Sequence, residues 1–194
     1  MRKSKLVVVG AGGHGRSVAE AAMLGGSWQE IVFVDDAFAQ QKSSGRWPIV
    51  SDTAHLHTVV SAGDNAVVAI GNQATRMRLF QRLADLKAML VTVIHPNAWV
   101  SADAAVGAGT TIMAGAVVGT HATVGCGSII NANATVDHDV CLGEFAHLGV
   151  GVSLAGGVVV GDRAWLQAGV SAGYHVKVLP DSVIESGAAL KVDL

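Results

Sequence analysis

An aliphatic residue occupies every sixth position from residue 94 to residue 190. The series is Ile94, Val100, Val106, Ile112, Val118, Val124, Ile130, Val136, Leu142, Leu148, Leu154, Val160, Leu166, Ala172, Val178, Ile184 and Leu190, in which only Ala172 is small. A period of six fits neither the 3.6-residue period of an α-helix nor the two-residue period of a long strand. It is typical of short strands joined by tight corners, three strands to a coil, whose stacked coils bury these side chains on one another. The spacing therefore predicts a parallel β-helix.

Composition and charge narrow the class of protein. The chain has 194 residues, 51% of them hydrophobic, which is room for one or two modest domains. No run approaches the roughly 18 apolar residues of a membrane helix, and the apolar run over 6–9 is too short for a signal peptide. The net charge is −2 without a basic cluster, and the two cysteines lack metal-ligand spacing. We expect a cytoplasmic protein without membrane insertion, nucleic-acid partner or metal.

The first ninety residues alternate between apolar runs and helical patterns, which predicts a small parallel sheet covered by helices. The predicted strands cover 5–9, 31–34, 66–70 and 90–93, and the predicted helices cover 16–24, 52–60 and 74–87. Trp47-Pro48 predicts a turn. Pro96 ends this pattern where the six-residue period takes over, so we expect two domains, 1–94 and 95–194.

A glycine loop follows the first predicted strand. Gly10, Gly12 and Gly15 form G-x-G-x-x-G ahead of a helix, and such a loop lets a phosphate approach the helix N-terminus. A dinucleotide fold needs two such halves, and this domain is half that size. The sequence therefore favours one nucleotide, such as the uridine diphosphate of an activated sugar, over NAD. A turn that only joins strand to helix is the alternative.

Three side chains near this loop are candidate ligand contacts. Asp35 and Asp36 end the second predicted strand, where their carboxylates would accept hydrogen bonds from a ribose or a base edge. His14, inside the loop, would donate to a phosphate or only pack.

His138 is the candidate general base. It stands two residues after the inward-facing Val136, at or beside an outward corner, between Asp137 and Asp139. A carboxylate bonded to one imidazole nitrogen fixes the tautomer and raises the basicity of the other. That arrangement suits proton removal from an amine or a hydroxyl. A solvated corner histidine is the alternative.

The eighteen-residue coil places other residues relative to His138. His121 lies one coil before Asp139 and competes with His138 for that carboxylate. Gly156 lies one coil after His138, where its N–H could stabilise an oxyanion. His147 lies half a coil from His138 and points outward, so the two could meet a substrate together only beside the corner or across a subunit contact.

These motifs together resemble a known family. The repeats have the form [LIV]-G-x-x-[STAV]-x, and the loop Gly-Ala-Gly-Gly-His-Gly, Asp35-Asp36, the Ala-Ile-Gly-Asn segment at 69–72 and the segment 131–147 accompany them. The chain resembles the bacterial nucleotide-sugar acetyltransferases, which include the UDP-4-amino-sugar N-acetyltransferases of the bacillosamine pathway and the sialic acid O-acetyltransferase-like proteins. The resemblance implies a Rossmann-like half domain that binds the sugar nucleotide, a left-handed β-helix, and a homotrimer with acetyl-CoA between adjacent β-helices.

The resemblance also implies roles for residues. His138 would be the general base, Asp139 would raise its basicity, and Gly156 would bind the oxyanion. The implied acetyl-CoA contacts are His147, Gly156, Ala168, Ser186 and Gly187. The implied sugar-nucleotide contacts are Gly12, Gly13, His14, Asp35, Asp36, Gly71 and Asn131.

The implied reaction is direct acetyl transfer to the amine of a UDP-4-amino-4,6-dideoxy sugar. O-acetylation of a sialic acid or another sugar hydroxyl, and a non-catalytic trimeric scaffold, are the alternatives. Two departures from the family stand out. Asp139 replaces the longer Glu of the bacillosamine enzymes, and the family's tail after the last coil is missing beyond Leu190. We expect a shortened chain or a neighbouring subunit that covers this end.

Overall fold

The computed structural model describes residues 4–193, which form an α/β unit followed by a β-helix. In the α/β unit the elements are β1 (Lys5–Val9), α1 (Gly13–Leu24), β2 (Glu30–Val34), β3 (Ser43–Ser44), β4 (Trp47–Ser51), β5 (Asn65–Val68), α2 (Gln73–Asp85) and β6 (Met89–Leu90), with 3₁₀ turns at Asp36–Ala39 and Leu56–Thr58. The strand order is β3-β4-β2-β1-β5-β6. Within residues 4–193, the β3–β4 pair of this sheet is antiparallel and its other strand pairs are parallel.

Strand β1 lies at the centre of this sheet and is buried on both faces. Leu6 and Val8 join the core beneath α1, while Val7 and Val9 join the core beneath α2. This alternation follows from the two-residue period of a strand, and apolar residues on both faces are what a sheet covered by helices needs. The α1-side core also contains Val93 and Met113 of the β-helix. The two units therefore share one apolar interface.

The β-helix is left-handed and parallel, and consists of two-residue strands on three faces. The first face contains β7 (Val93–Ile94), β10 (Thr111–Ile112), β13 (Ile129–Ile130), β16 (His147–Leu148), β19 (Trp165–Leu166) and β22 (Val183–Ile184). The second contains β8 (Trp99–Val100), β11 (Val117–Val118), β14 (Thr135–Val136), β17 (Ser153–Leu154), β20 (Ser171–Ala172) and β23 (Ala189–Leu190). The third contains β9 (Ala105–Val106), β12 (Thr123–Val124), β15 (Cys141–Leu142), β18 (Val159–Val160) and β21 (Lys177–Val178). The predicted fold class is confirmed.

The six-residue period has the physical basis that the sequence predicted. The aliphatic residue of each strand points into the prism, and Ile130, Leu148 and Leu166 are fully buried in successive coils. Small residues two places earlier complete the interior, as Ala134 and Ala146 do with no exposed surface. Ile94 is 42% exposed because it belongs to the first coil, at an open end of the stack.

Three corners connect the faces in each coil. In one coil, the first corner covers residues 131–134, the second 137–140 and the third 143–146. The third residue of each of these corners has a left-handed backbone, with φ of 57° at Asn133, 59° at Asp139 and 56° at Phe145. The α/β unit packs on the first face through Val93, on the first corner through Met113 and Ala132, and on the third corner through bonds to the Gly127 and Phe145 carbonyls.

Three local predictions are corrected by the structure. The helix predicted over 52–60 is wrong, because only the 3₁₀ turn Leu56–Thr58 forms there. Asp52 accepts a hydrogen bond from the backbone N–H of His55, and such local bonds compete with a helix. The turn predicted at Trp47-Pro48 is also wrong, since both residues belong to β4. The strand predicted over 90–93 is divided, because Met89–Leu90 joins the α/β sheet while Val93–Ile94 pairs with β10.

Among residues 4–193, no helix has the length and apolar character needed to cross a membrane.

Candidate functional site

The glycine loop presents an open backbone at the start of α1. Gly10, with φ of 108°, and Gly15 are tightly packed. A Cβ on Gly10 would lie 2.8 Å from the Ala69 carbonyl oxygen, and a Cβ on Gly15 would collide with the Gly10 carbonyl. Gly12 and Gly13 are different, since a Cβ on either would meet no atom within 4 Å. Free N–H groups of the first helical turn are therefore accessible here, which suits an anion.

Of the two aspartates that follow β2, the first holds this loop in place. The Asp35 carboxylate accepts hydrogen bonds from the N–H groups of Ala11, at 2.7 Å, and Ala37, at 2.8 Å. Asp36 Oδ1 accepts from the N–H and hydroxyl of Thr53, at 2.9 and 2.7 Å. Within residues 4–193, Asp36 Oδ2 accepts no hydrogen bond. Asp35 thus ties the loop to β2, while Asp36 bonds to Thr53 through one carboxylate oxygen only.

A buried arginine lies where the two units meet. Arg76 of α2 is 1% exposed, and its guanidinium donates to the carbonyls of Gly127, Ile70, Gly71 and Phe145 at 2.7–2.9 Å. Burial lowers the pKa of Arg76 to about 10, so the group remains charged at neutral pH. Backbone carbonyls here replace the carboxylate that a buried cation usually requires.

Two histidines beside Arg76 are held neutral. Burial, with Arg76 as the second cause, lowers the pKa of His14 to about 4. Burial likewise lowers the pKa of His147 to about 4, with smaller contributions from Arg76 and His14. His14 Nε2 lies 3.4 Å from the Thr111 hydroxyl. Neutral imidazoles can each donate from one nitrogen and accept at the other, so both can serve as hydrogen-bonding groups for a ligand.

His147 lines a small pocket between the units. Its ring stacks on Trp165 with centroids 5.7 Å apart and an interplanar angle of 16°. The pocket has a volume of about 380 Å³ and is lined by Gly71, Asn72, Gln73, His147 and Trp165. Within the described part of the chain, His147 Nδ1 is buried and has no hydrogen-bond partner. A neutral ring with an unused nitrogen in a pocket is a candidate ligand contact.

His138 projects from the second corner with a carboxylate on its ring. Its Nδ1 lies 2.8 Å from Asp139 Oδ2, and its side chain is 50% exposed. The hydrogen bond to Asp139 is the largest cause of a raised His138 pKa, and the charge of Asp137, 4.0 Å from Nε2, is the next. When Nδ1–H donates to Asp139, Nε2 of the neutral ring carries the lone pair and could accept a proton. Among residues 4–193, no side-chain hydrogen bond or ion pair joins His121 to Asp139, so Asp139 pairs with His138 rather than with His121.

Gly156 lies directly against the His138 ring. A Cβ on Gly156 would be 2.5 Å from His138 Nε2, so only glycine leaves room for this imidazole. The next N–H, that of Gly157, donates to the His138 carbonyl at 3.1 Å. In the described residues the Gly156 N–H itself makes no hydrogen bond, so a donor is available beside the candidate base.

The structure gathers the predicted site residues into separate groups. His138, Asp139 and Gly156 lie at the second corner. Gly71, His14 and His147 lie at the junction between the units. Ala168, Ser186 and Gly187 lie at the first corner, where the Gly187 N–H donates to the Ala168 carbonyl. Asn131 begins another first corner, and its side chain accepts from the N–H of Ala132. A single chain therefore does not bring His138 and the first-corner residues together.

Sequence reasoning missed two residues of the junction. Trp165 was detectable, because it occupies the outward position one coil after His147. Arg76 carried no signal, since an arginine within an amphipathic helix predicts a solvated side chain.

An α/β unit with a glycine loop ahead of a left-handed β-helix with an exposed His–Asp pair defines a class, the β-helix acyltransferases. Residues 5–83 match the family model described as the PglD N-terminal domain. Over 114 residues the chain is 32% identical to UDP-N-acetylbacillosamine N-acetyltransferase of Bacillus subtilis (strain 168), a match that covers 56% of this chain. The match spans about half, 51%, of that curated relative.

Solved structures match almost the whole chain. The acetyltransferase domain of PglB from Neisseria gonorrhoeae FA1090, in complex with acetyl coenzyme A, is 36% identical with a TM-score of 0.95, covering 99% of this chain and 93% of that one. Perosamine N-acetyltransferase from Caulobacter crescentus, with CoA and GDP-perosamine, is 33% identical with a TM-score of 0.91, covering 98% of this chain and 90% of that one. The chain belongs to the family of bacterial nucleotide-sugar acetyltransferases with a left-handed β-helix.

Proposed function

We propose that the protein transfers the acetyl group of acetyl-CoA to the amine of a UDP-4-amino-4,6-dideoxy sugar, with His138 as general base. The observation that carries the proposal is the exposed His138–Asp139 pair with Gly156 against its ring. The relatives support the donor and the type of acceptor, because one was solved with acetyl coenzyme A and another with CoA and GDP-perosamine. The Bacillus subtilis relative supports a UDP-linked amino sugar.

In the proposed reaction, the sugar amine attacks the thioester carbonyl carbon of acetyl-CoA. His138 Nε2 takes the proton that the amine loses, and Asp139 stabilises the resulting imidazolium. The carbonyl oxygen becomes an oxyanion, for which the Gly156 N–H is a donor. When the intermediate collapses, the carbon–sulfur bond breaks, and His138 returns its proton to the departing coenzyme A thiolate. No covalent enzyme intermediate is required.

The α/β unit would hold the sugar nucleotide. Gly12, Gly13 and His14 offer backbone donors and a neutral imidazole to the pyrophosphate. Asp36 has a free carboxylate oxygen for a ribose or a base edge, while Asp35 supports the loop. Gly71 and Asn131 border the same junction, so they remain the proposed contacts nearer to the sugar.

A homotrimer would complete the site. His138 and Gly156 lie at the second corner, whereas Ala168, Ser186 and Gly187 lie at the first corner of the same chain. A groove between two adjacent β-helices could take one corner from each chain, and acetyl-CoA would bind there. In this arrangement, His147 would contact the acetyl-CoA, and it would belong to the same chain as the α/β unit that holds the sugar nucleotide.

Product mass after incubation tests the reaction. With acetyl-CoA and a UDP-4-amino-4,6-dideoxy sugar, we expect a product heavier by one acetyl group. His138→Ala should lower kcat by roughly 10²–10⁴-fold, which is the contribution of a positioned base. If the unaltered protein forms no product, the proposed acceptor is wrong. If the His138→Ala variant turns over at the rate of the unaltered protein, His138 is not the general base. Free sialic acid as acceptor, and titration with coenzyme A, test the O-acetylation and scaffold alternatives.

A further inference from the structure

At the third corner of the β-helix, three stacked backbone carbonyls receive no hydrogen bond from a backbone N–H within residues 4–193. Gly127, Phe145 and Arg163 occupy equivalent positions in successive coils, with φ of 63°, 56° and 59°. Their N–H groups donate to the preceding coil. Within residues 4–193, however, no backbone N–H donates to their carbonyls. Buried carbonyls need partners, so some other element must supply donors here.

Helix α2 supplies those donors from its first turn. Arg76 Nε donates to the Gly127 carbonyl at 2.9 Å, and Nη2 donates to the Phe145 carbonyl at 2.7 Å. The side-chain amide of Gln73 donates to the Arg163 carbonyl. Three successive coils are therefore joined to one helical turn.

The same guanidinium also holds the segment that precedes α2. Its Nη1 donates to the carbonyls of Ile70 and Gly71, both at 2.9 Å. Residues Gly71, Asn72 and Gln73 form one wall of the pocket whose opposite wall is His147 and Trp165. Gln73 bonds only to the β-helix, whereas Arg76 bonds both to the β-helix and to the carbonyls of Ile70 and Gly71, so Arg76 links the two walls directly.

Four carbonyl acceptors around one side chain require the several donors of an arginine. A planar guanidinium presents five N–H donors in a rigid fork, whereas a lysine ammonium is a point charge with three donors. Among the described residues, no carboxylate pairs with Arg76. Its hydrogen bonds to carbonyls therefore have to offset the free-energy cost of burying the charge. Lysine at this position would keep the charge but could not reach all four carbonyls.

We propose that Arg76 is a positioning residue that holds segment 71–73 at a fixed distance from the His147–Trp165 pair, and so forms the sugar-side pocket before substrate binds. The kinetic consequence of this proposal rests on the proposed function, whereas its structural consequence does not.

The kinetic test is Arg76→Lys in the full chain. We expect KM for the UDP-amino sugar to rise about tenfold, the equivalent of about two lost hydrogen bonds, with kcat and KM for acetyl-CoA changed less than about twofold. Arg78→Lys is the matched control, because Arg78 lies on the same helix with an exposed side chain. An unchanged KM for the sugar nucleotide, or a fall in kcat alone, would overturn the proposal.

The structural test uses ¹⁵N relaxation of the free enzyme and needs no substrate. In the unaltered protein we expect order parameters of about 0.85 for the amides of Gly71 and Asn72, although both residues are exposed. Arg76→Lys should lower them toward about 0.6, while Arg78→Lys should not. Values below about 0.6 in the unaltered protein would overturn the proposal even if the lysine variant failed to fold. A rigid segment in a protein that acetylates no amino sugar would instead refute the proposed function alone.

Discussion

At the scale of single residues, the proposed chemistry depends on one carboxylate bonded to one exposed imidazole. The Asp139 hydrogen bond is the first cause of the raised His138 pKa. A base acts only when neutral, so kcat/KM should rise with pH through this pKa and then level off. The bond also orients the ring, because it holds Nδ1 as the donor and leaves Nε2 free.

Asp139→Asn should move the acidic limb of the pH profile to lower pH. Without the carboxylate, the pKa of His138 falls toward its ordinary value, and only the charge of Asp137 still raises it. The plateau should also fall, because the ring loses its orientation. The measurement is kcat/KM from about pH 5 to about pH 9. Asp103→Asn is the control, since this exposed residue lies two coils earlier at the same corner. If the acidic limb of the Asp139→Asn variant stays at the pH of the unaltered protein, Asp139 does not control the titration of His138.

Gly156→Ala should inactivate the enzyme without unfolding it. The added Cβ would lie 2.5 Å from His138 Nε2, so the exposed imidazole must turn away from its present position. We expect a loss of kcat of roughly 10²-fold or more and a melting temperature within a few degrees of that of the unaltered protein. Gly173→Ala is the control, because its Cβ would lie 3.6 Å from the nearest atom, the Leu190 carbonyl oxygen. Equal activity in the two variants would be inconsistent with the packing described.

His138, Asp139 and Gly156 could be grouped from the sequence because each has a partner at a known spacing. His138 and Asp139 are adjacent, and Gly156 follows by one coil, so the repeat itself places them together. The junction lacks such a rule. His14, Arg76 and His147 are distant in sequence, and their contact depends on how the α/β unit packs on the third corner. Nothing in the sequence indicates that left-handed corner residues leave carbonyls for an arginine.

At the scale of elements, the coil is stable only if each inward position is apolar. Leu142 is 2% exposed inside the prism, with Val124 below it and Val160 above it in the ladder. Burial of such a side chain contributes roughly 1.5–3 kcal/mol, and an unpaired buried charge adds a larger cost.

Leu142→Asp should therefore unfold the central coils and abolish the proposed trimer. Cys141→Asp is the control, because Cys141 is the neighbouring residue on the same strand and is exposed. Thermal melting by circular dichroism and mass by light scattering report the two effects. An unchanged melting temperature and mass for Leu142→Asp would contradict the register of the β-helix.

Elements were predictable where one periodicity dominated. Each strand of the β-helix from Val93 to Leu190 ends on a residue of the six-residue repeat, and the apolar runs located β1 and β2 to within a residue. Segment 52–60 was not predictable, because a local side-chain bond from Asp52 replaced helical pairing. Trp47 and Pro48 form a strand since tertiary contact prevails over turn propensity, with Trp47 packed edge-on against Phe33 at 6.0 Å.

At the scale of the whole molecule, the junction makes stability depend on pH. His14 and His147 have pKa values of about 4 in the folded state, against 6.5 for an ordinary histidine. The unfolded chain therefore binds more protons between these values, and stability is lost as pH falls from about 6.5 toward about 4. The loss is on the order of 3 kcal/mol for each histidine.

The double variant His14→Gln with His147→Gln should flatten this dependence. Urea unfolding at several pH values between about 4 and about 7 measures it directly. His57→Gln, on the exposed surface of the α/β unit, should keep the dependence of the unaltered protein. A double variant that loses stability on acidification as steeply as the unaltered protein would place the acid-sensitive groups elsewhere.

The contact between α2 and the third corner also constrains how this architecture can change length. A helix rises about 1.5 Å per residue and strands stack about 4.8 Å apart, so three helical residues span nearly one coil. Gln73 and Arg76, three residues apart, therefore reach neighbouring coils in register. These partners are backbone carbonyls that recur in every coil, so an additional complete coil of eighteen residues would keep the match wherever it is inserted. An insertion shorter than a coil between Gly127 and Arg163 would break it, so the prism beside the helix can grow or be engineered only by whole coils.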